Sequence, residues 1–185
     1  GSCSSGHRRH DLGPATFERE QIAQVLPPGE GVGVESLVRA LRIGMAARRE
    51  LDPSSTVGYY NDRAEQFFSS TLRVDMGPIY ERFLDGLAPG ANILDAGCGS
   101  GRDARAFADR GFSVSAFDAS VELAKRASEH CGFVVDVRRF EDVDEVAQYD
   151  AIWCCASLLH VPLLDMPGVL SKLWAALKAG GRIYV

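Results

Sequence analysis

The chain has 185 residues, 46% of them hydrophobic and 24% charged, which fits one globular core with room for an appendage and excludes wholesale disorder. Twenty basic residues face 25 acidic ones, a net of −5; residues 1–56 balance seven arginines against seven carboxylates, so the rest carries the whole excess. No basic stripe for phosphates appears, which sets nucleic acid aside as a partner. No stretch approaches the roughly 18 consecutive apolar residues of a membrane span, and the start lacks the apolar segment of a secretory signal, so a cytoplasmic protein with no membrane partner is expected.

Residues 1–14, polar and rich in Gly and Ser, read as a disordered tail that begins Gly-Ser without an initiator Met, as a processed end or a fragment would. Residues 15–26 and 34–51 read as helices, the second from Val34, Leu37, Val38, Leu41 and Met45 at helical spacing. Pro27-Pro28-Gly29 separates them and Asp52-Pro53-Ser54-Ser55 closes the second, giving an N-terminal helical extension over 15–56. A helix–turn–helix DNA reader is disfavoured because such readers carry a basic face. Residues 58–88 are helical by pattern, with Met76, Ile79, Tyr80, Phe83, Leu84 and Leu87 on one face, Asp75 as a cap and Pro78 in the first turn.

From Ala91 short apolar runs alternate with helical segments. Strands are expected at Ile93-Leu94-Asp95, Phe112–Phe117, Phe133–Val137, Tyr149–Cys155 and from Arg182 onward. Helices are expected after Gly101, from the Asp118-Ala119-Ser120 cap to about His130, briefly over Glu141–Val146, and along Met166, Val169, Leu170, Leu173, Trp174 and Leu177 up to Gly180-Gly181. Continuous apolar strands alternating with helices predict an α/β fold, a doubly wound and mainly parallel sheet covered on both faces. Five cysteines, at 3, 98, 131, 154 and 155, match neither a zinc site nor a disulfide framework, so reduced thiols and no metal are expected.

Ligands of open parallel sheets bind beyond the carboxyl ends of the strands. The first such end reads Asp95-Ala96-Gly97-Cys98-Gly99-Ser100-Gly101. Its glycines permit a tight turn and close backbone approach, and the following helix start favours a carboxylate or phosphate. A nicotinamide fingerprint needs glycine where this chain has Arg102, and Asp95 would repel a pyrophosphate while suiting an amino group. The loop therefore favours a ligand bearing both a cation and a carboxylate, such as an amino-acid moiety. At the second strand end, Asp118 is placed either to accept the hydroxyls of a ribose or to cap the next helix.

Together these residues resemble the class I S-adenosylmethionine-dependent methyltransferases, most sharply over ILDAGCGSGRDARAFADRGFSVSAFDAS and across residues 57–185. Among them the small bacterial enzymes of tellurite-resistance type look most similar. The resemblance implies S-adenosyl-L-methionine as cofactor and a Rossmann-like methyltransferase fold with five of its seven strands present and N-terminal helices in front. It places the glycine-rich loop on Asp95, Gly97, Cys98, Gly99 and Gly101, the ribose acid on Asp118 with Ala119 beside it, and the adenine-flanking segment on Arg139-Phe140-Glu141. The segment after the fourth strand falls on Cys154–Val161, and Tyr59-Tyr60-Asn61 is the stretch that closes over the cofactor. The missing strands imply a chain truncated at its C-terminus, whose exposed sheet edge would promote self-association and weaken turnover.

The implied reaction is in-line transfer of a methyl group to a small-molecule acceptor, with a non-catalytic cofactor-binding module as the rival reading. His160, at the mouth after the fourth strand, is the candidate base if the acceptor must lose a proton, or else a packing histidine. Arg102 and Asp103 either hold the cofactor's carboxylate and ammonium or are solvated first-turn charges. Tyr59, Tyr60 and Phe67 wall the pocket or join the core, and Phe140 lies against adenine.

Overall fold

A computed structural model of the protein describes residues 53–185. The tail expected over 1–14 and the helices expected over 15–26 and 34–51 lie outside the described residues. Three helices lead: α1 Pro53–Asp62, α2 Ala64–Thr71 and α3 Gly77–Leu84. Pro53 is the first residue of a helix, a position where its missing N–H costs nothing. The helical pattern expected over 58–88, with a second helix capped by Asp75, divides at Arg63 and again before Met76. At the second division the Asp75 carboxylate accepts the Gly77 N–H at 2.9 Å, and Pro78 lies in the first turn of α3, as its sequence indicated.

The rest alternates strand and helix: β1 Asn92–Ala96, α4 Arg102–Ala108, β2 Ser113–Asp118, α5 Val121–Cys131, β3 Asp136–Val137, β4 Tyr149–Trp153, α6 Met166–Ala176 and β5 Leu177–Tyr184. Single 3₁₀ turns, Phe140–Asp142 and Leu158–His160, follow β3 and β4. The five strands are all parallel, in the order β3-β2-β1-β4-β5. The chain steps outward from β1 to β3 and then returns to β1's other side, so the switch in winding falls between β1 and β4, where ligands of such sheets bind.

Alternation along β1 sorts the core onto two faces. Ile93 packs with Phe83, Phe107, Ala151, Trp153 and Tyr184 beneath α3 and α4, while Leu94 and Ala96 join Phe117, Ile152, Leu170, Leu173 and Ile183 beneath α6. Small residues, Ala104, Ala116, Ala124 and Ala127, let α4 and α5 settle closely on β2.

Three elements differ from expectation. β3 keeps only Asp136–Val137, because Val135 is buried beneath α5 while Val134 points to solvent. The helix expected over Glu141–Val146 is the single 3₁₀ turn, closed by Asp142 accepting the Arg139 N–H at 2.9 Å. β5 begins at Leu177, paired with Tyr149, and bulges over Lys178–Gly181 before Arg182 pairs with Ala151. The helical stripe of α6 thus ends at Ala176, ahead of the two glycines.

One buried polar cluster binds these layers. Asp103, in the first turn of α4 and 6% exposed, accepts hydrogen bonds from Tyr80 Oη on α3, from Trp153 Nε1 at 2.8 Å on β4, and from Arg102 Nε at 2.6 Å and Nη2 at 2.9 Å. Arg102 Nη1 continues to the Thr71 carbonyl at the end of α2, 3.3 Å away. Burial, then the Asp103 charge, pushes the Tyr80 hydroxyl well above its usual range, so it stays a donor. Asp103→Ala strands a phenol, an indole and a guanidinium at once, and is expected to lower stability by about 3–5 kcal/mol in urea denaturation; a loss under about 1 kcal/mol would show the cluster to be incidental.

Candidate cofactor site at the strand ends

The glycine loop is fastened to the end of β2. The N–H groups of Gly97 and Cys98 both donate to the Phe117 carbonyl at 2.9 Å, and Gly99 N–H donates to Asp118 Oδ2 at 2.8 Å. Gly97 and Gly99 have φ of +73° and +57°, the left-handed region that side chains disfavour. A Cβ on Gly97 would lie 2.5 Å from Ser157 Cβ, and one on Gly99 would lie 2.9 Å from the Phe67 ring. Both glycines are thus demanded twice, by backbone conformation and by contact. Gly101, also left-handed, is the residue before the first turn of α4.

The Asp118 alternatives separate in the structure. Ser120 takes the cap of α5, its Oγ accepting the Leu123 N–H at 3.2 Å, while Asp118 Oδ1 accepts the Ser120 N–H at 2.8 Å. Burial raises the Asp118 carboxyl above its usual range, opposed by the N–H groups of Ser120, Gly99 and Ala119. Each carboxylate oxygen can accept a further hydrogen bond beside its backbone partner. At the end of β1, Asp95 is 2% exposed and its Oδ2 has no hydrogen-bond partner. A buried carboxylate oxygen left open, beside a turn too tight for a Cβ, fits the positively charged end of an amino-acid-bearing ligand.

Helices α1 and α2 lie over these strand ends as a strap. Tyr60 Oη and His160 Nε2 are 3.1 Å apart, and the Tyr60 ring meets Phe67 and His160 edge-on at 5.1 and 5.3 Å. Asn61 Oδ1 accepts from Ser120 Oγ at 2.5 Å, Glu65 pairs with Arg126 on α5, and Thr71 Oγ1 donates to Ser100 Oγ at 2.9 Å. Phe67 therefore packs on the loop itself.

Five of the expected contact residues have partners within the protein. Asp103 and Arg102 pair with each other inside the cluster described above. Cys154 is 1% exposed, and burial keeps its thiol well above the usual range, so its side chain belongs to the core under α6. Phe140, 9% exposed, meets Phe117 edge-on at 5.4 Å and leaves little ring face for a ligand. Glu141 is exposed, and its carbonyl accepts from Lys172 on α6. Cys98 stays in the loop, its thiol also pushed up by burial. Ser157 was visible within the Cys154–Val161 segment, but the bond its Oγ donates to the Ala96 carbonyl at 2.7 Å was not. Asn61 was visible within the Tyr-Tyr-Asn stretch, but its bond to Ser120 was not. A surface cleft of about 330 Å³, lined by Met76, Tyr80, Arg102, Arg105, Asp109 and His130 among others, lies beside α4 and includes none of the loop glycines.

Among known proteins, a family model described as a methyltransferase domain matches residues 68–185. A ubiquinone biosynthesis O-methyltransferase of Xylella fastidiosa (strain 9a5c) is 40% identical over 103 residues, 52% of this chain and 41% of that protein. One from Methylocella silvestris is 31% identical over 183 residues, 96% and 66% of the two chains. The first of these shows that the chain spans about two fifths of the length of curated relatives it matches. In structure it is similar to a 1,6-didemethyltoxoflavin-N1-methyltransferase of Burkholderia thailandensis, with TM-score 0.57, 22% identity and 90% and 69% coverage. It is also similar to a TehB-like SAM-dependent methyltransferase of Corynebacterium glutamicum, with TM-score 0.53, 26% identity and 70% and 71% coverage. The parallel sheet, the glycine turn at its switch point and the match over residues 68–185 agree, and the chain belongs to the methyltransferase-domain family.

Proposed function

We propose that the chain binds S-adenosylmethionine across the ends of β1 and β2 and transfers its methyl group to a small-molecule acceptor. The observation that carries this reading is the pair of carboxylates, Asp95 and Asp118, flanking a glycine turn at the switch point of a parallel sheet. Asp118 has lone pairs for the two ribose hydroxyls, and Asp95 offers its open oxygen to the amino-acid end. Gly97 and Gly99 keep Cβ atoms out of the approach.

When bound, the cofactor supplies a sulfonium methyl open to in-line displacement. The chain's own residues orient and shield. Tyr60, Phe67 and His160 form an aromatic wall between the glycine loop and the end of β4, which suits a planar acceptor held edge-on or stacked. His160, joined to Tyr60 through Nε2, accepts the proton of an acceptor hydroxyl. The ubiquinone-biosynthesis relatives are O-methyltransferases, which makes an aromatic hydroxyl the first acceptor to assay here.

Calorimetry with S-adenosylhomocysteine tests the cofactor half. Asp118→Ala is expected to weaken binding by about 1.5–3 kcal/mol, the scale of hydrogen bonds to charged groups, and an unchanged affinity would remove Asp118 from the ribose role. Gly99→Val is expected to abolish binding, and pairing it with Phe67→Ala relieves the ring contact but not the left-handed strain, so it recovers folding more than affinity. The acceptor half rests on His160→Ala: methyl transfer to a phenolic acceptor should fall about 10²–10⁴-fold while cofactor affinity holds, and a rate that does not change would assign His160 to packing.

A further inference from the structure

Asp95 is an expensive residue to hold as an anion. It is 2% exposed at the end of β1, and Oδ2 has no partner, so ionised Asp95 would be a buried charge without a counter-ion of its own. The titratable and charged groups around it come from every adjoining element: Asp103 and Arg102 from α4, Asp118 from β2, Cys98 from the glycine loop, Cys131 from α5, and Cys154 and Cys155 beyond β4. Arg102 is the one cation in that set, and two of its nitrogens are already bonded to Asp103. Burial first, and the Asp103 charge second, drive the Asp95 carboxyl well above the usual range, against smaller opposing effects of the Ala104 N–H and Arg102.

We propose that Asp95 carries a proton in the cofactor-free protein and releases it when the positively charged amino-acid end of the cofactor binds. The inference rests on the cofactor reading above. The carboxyl O–H bond breaks, the proton passes to solvent, and the carboxylate left behind pairs with the ligand's ammonium group; no electrons are exchanged with any other species. Binding is then linked to pH through one buried group, with affinity rising as pH rises, and a nucleoside lacking the amino-acid end gives Asp95 no reason to ionise. Asp103 is the positioning residue: bonded to Arg102, Tyr80 and Trp153, it holds its carboxylate near Asp95 and so opposes a second negative charge there.

Titration calorimetry of the 185-residue chain with S-adenosylhomocysteine at about pH 7, in phosphate and in Tris, reads the protons exchanged from the difference in heats. About one proton released per ligand is expected for the native chain, and about none for Asp95→Asn or for 5′-methylthioadenosine, which lacks the amino-acid end. The same proton count in the native chain and in Asp95→Asn overturns the proposal while leaving cofactor binding intact; no binding by the native chain overturns both. A second measurement needs no ligand. A raised carboxyl contributes its stability below the unfolded value and loses it as pH climbs through the folded one, so the thermal midpoint of Asp95→Asn should gain on the native chain from about pH 5 to about pH 8. A gap that stays constant over that range overturns the proposal even if the variant no longer binds.

Discussion

The charge of Asp103 is the constraint on which the rest of the site depends. A carboxylate under a helix in an α/β core is tolerated only if its oxygens are fully used, and here a phenol, an indole and a guanidinium use them. Each donor comes from a different element. Tyr80 brings α3, Trp153 brings the end of β4, and Arg102 reaches on to the end of α2. The cluster thereby sets where α4 starts, and with it the spacing between the glycine loop and the strap above it. Trp153 in turn stacks on Tyr184 at 3.8 Å, which carries the same constraint to β5.

Much of this was legible in the sequence because it follows from local rules. β1 and β4 announce themselves as apolar runs buried on both faces, and the Asp95–Gly101 turn as a cluster of glycines after a strand. Asp118 was read as serving one of two purposes, and only the structure could give the cap to its neighbour Ser120. What stayed hidden depends on contacts remote in sequence. Arg102 and Asp103 look like surface charges opening a helix, and nothing nearby reveals that Tyr80 and Trp153 will close over them. Cys154 and Phe140 sit where site residues belong, yet the packing of α6 draws both inward. The helix expected to end at glycines stops earlier because Leu177 finds a partner in Tyr149, a tertiary pairing that overrides the local breaker.

The strap answers a geometric problem. A sheet whose winding reverses between β1 and β4 leaves an open crevice there, and the same residues must both roof it and admit a ligand. Here the roof is held by a few polar bonds and edge-on rings, from Asn61, Glu65, Thr71, Tyr60 and Phe67, and not by a broad apolar seam. Contacts of that kind separate at modest cost, whereas Ile93, Phe83 and Trp153 below them do not.

The spacing of these contacts along the chain bears on how the molecule assembles. The Tyr60–His160 bond joins residues 100 apart, the Arg182 bond to the Phe83 carbonyl 99, Asn61–Ser120 59 and Ser157–Ala96 61. Each must wait for a long loop to close, while the β1–β2 and α4–α5 pairings are far more local. The crevice is accordingly the last region to become native, since its second wall does not exist until β4 has inserted beside β1. A nascent chain that has emerged only as far as β3 holds the glycine loop, Asp118 and the strap, but no His160 for Tyr60, no Trp153 for Asp103 and no Ser157 for Gly97 to rest against. Cofactor recognition is in this sense a property of the finished topology, acquired in one step when the fourth strand arrives.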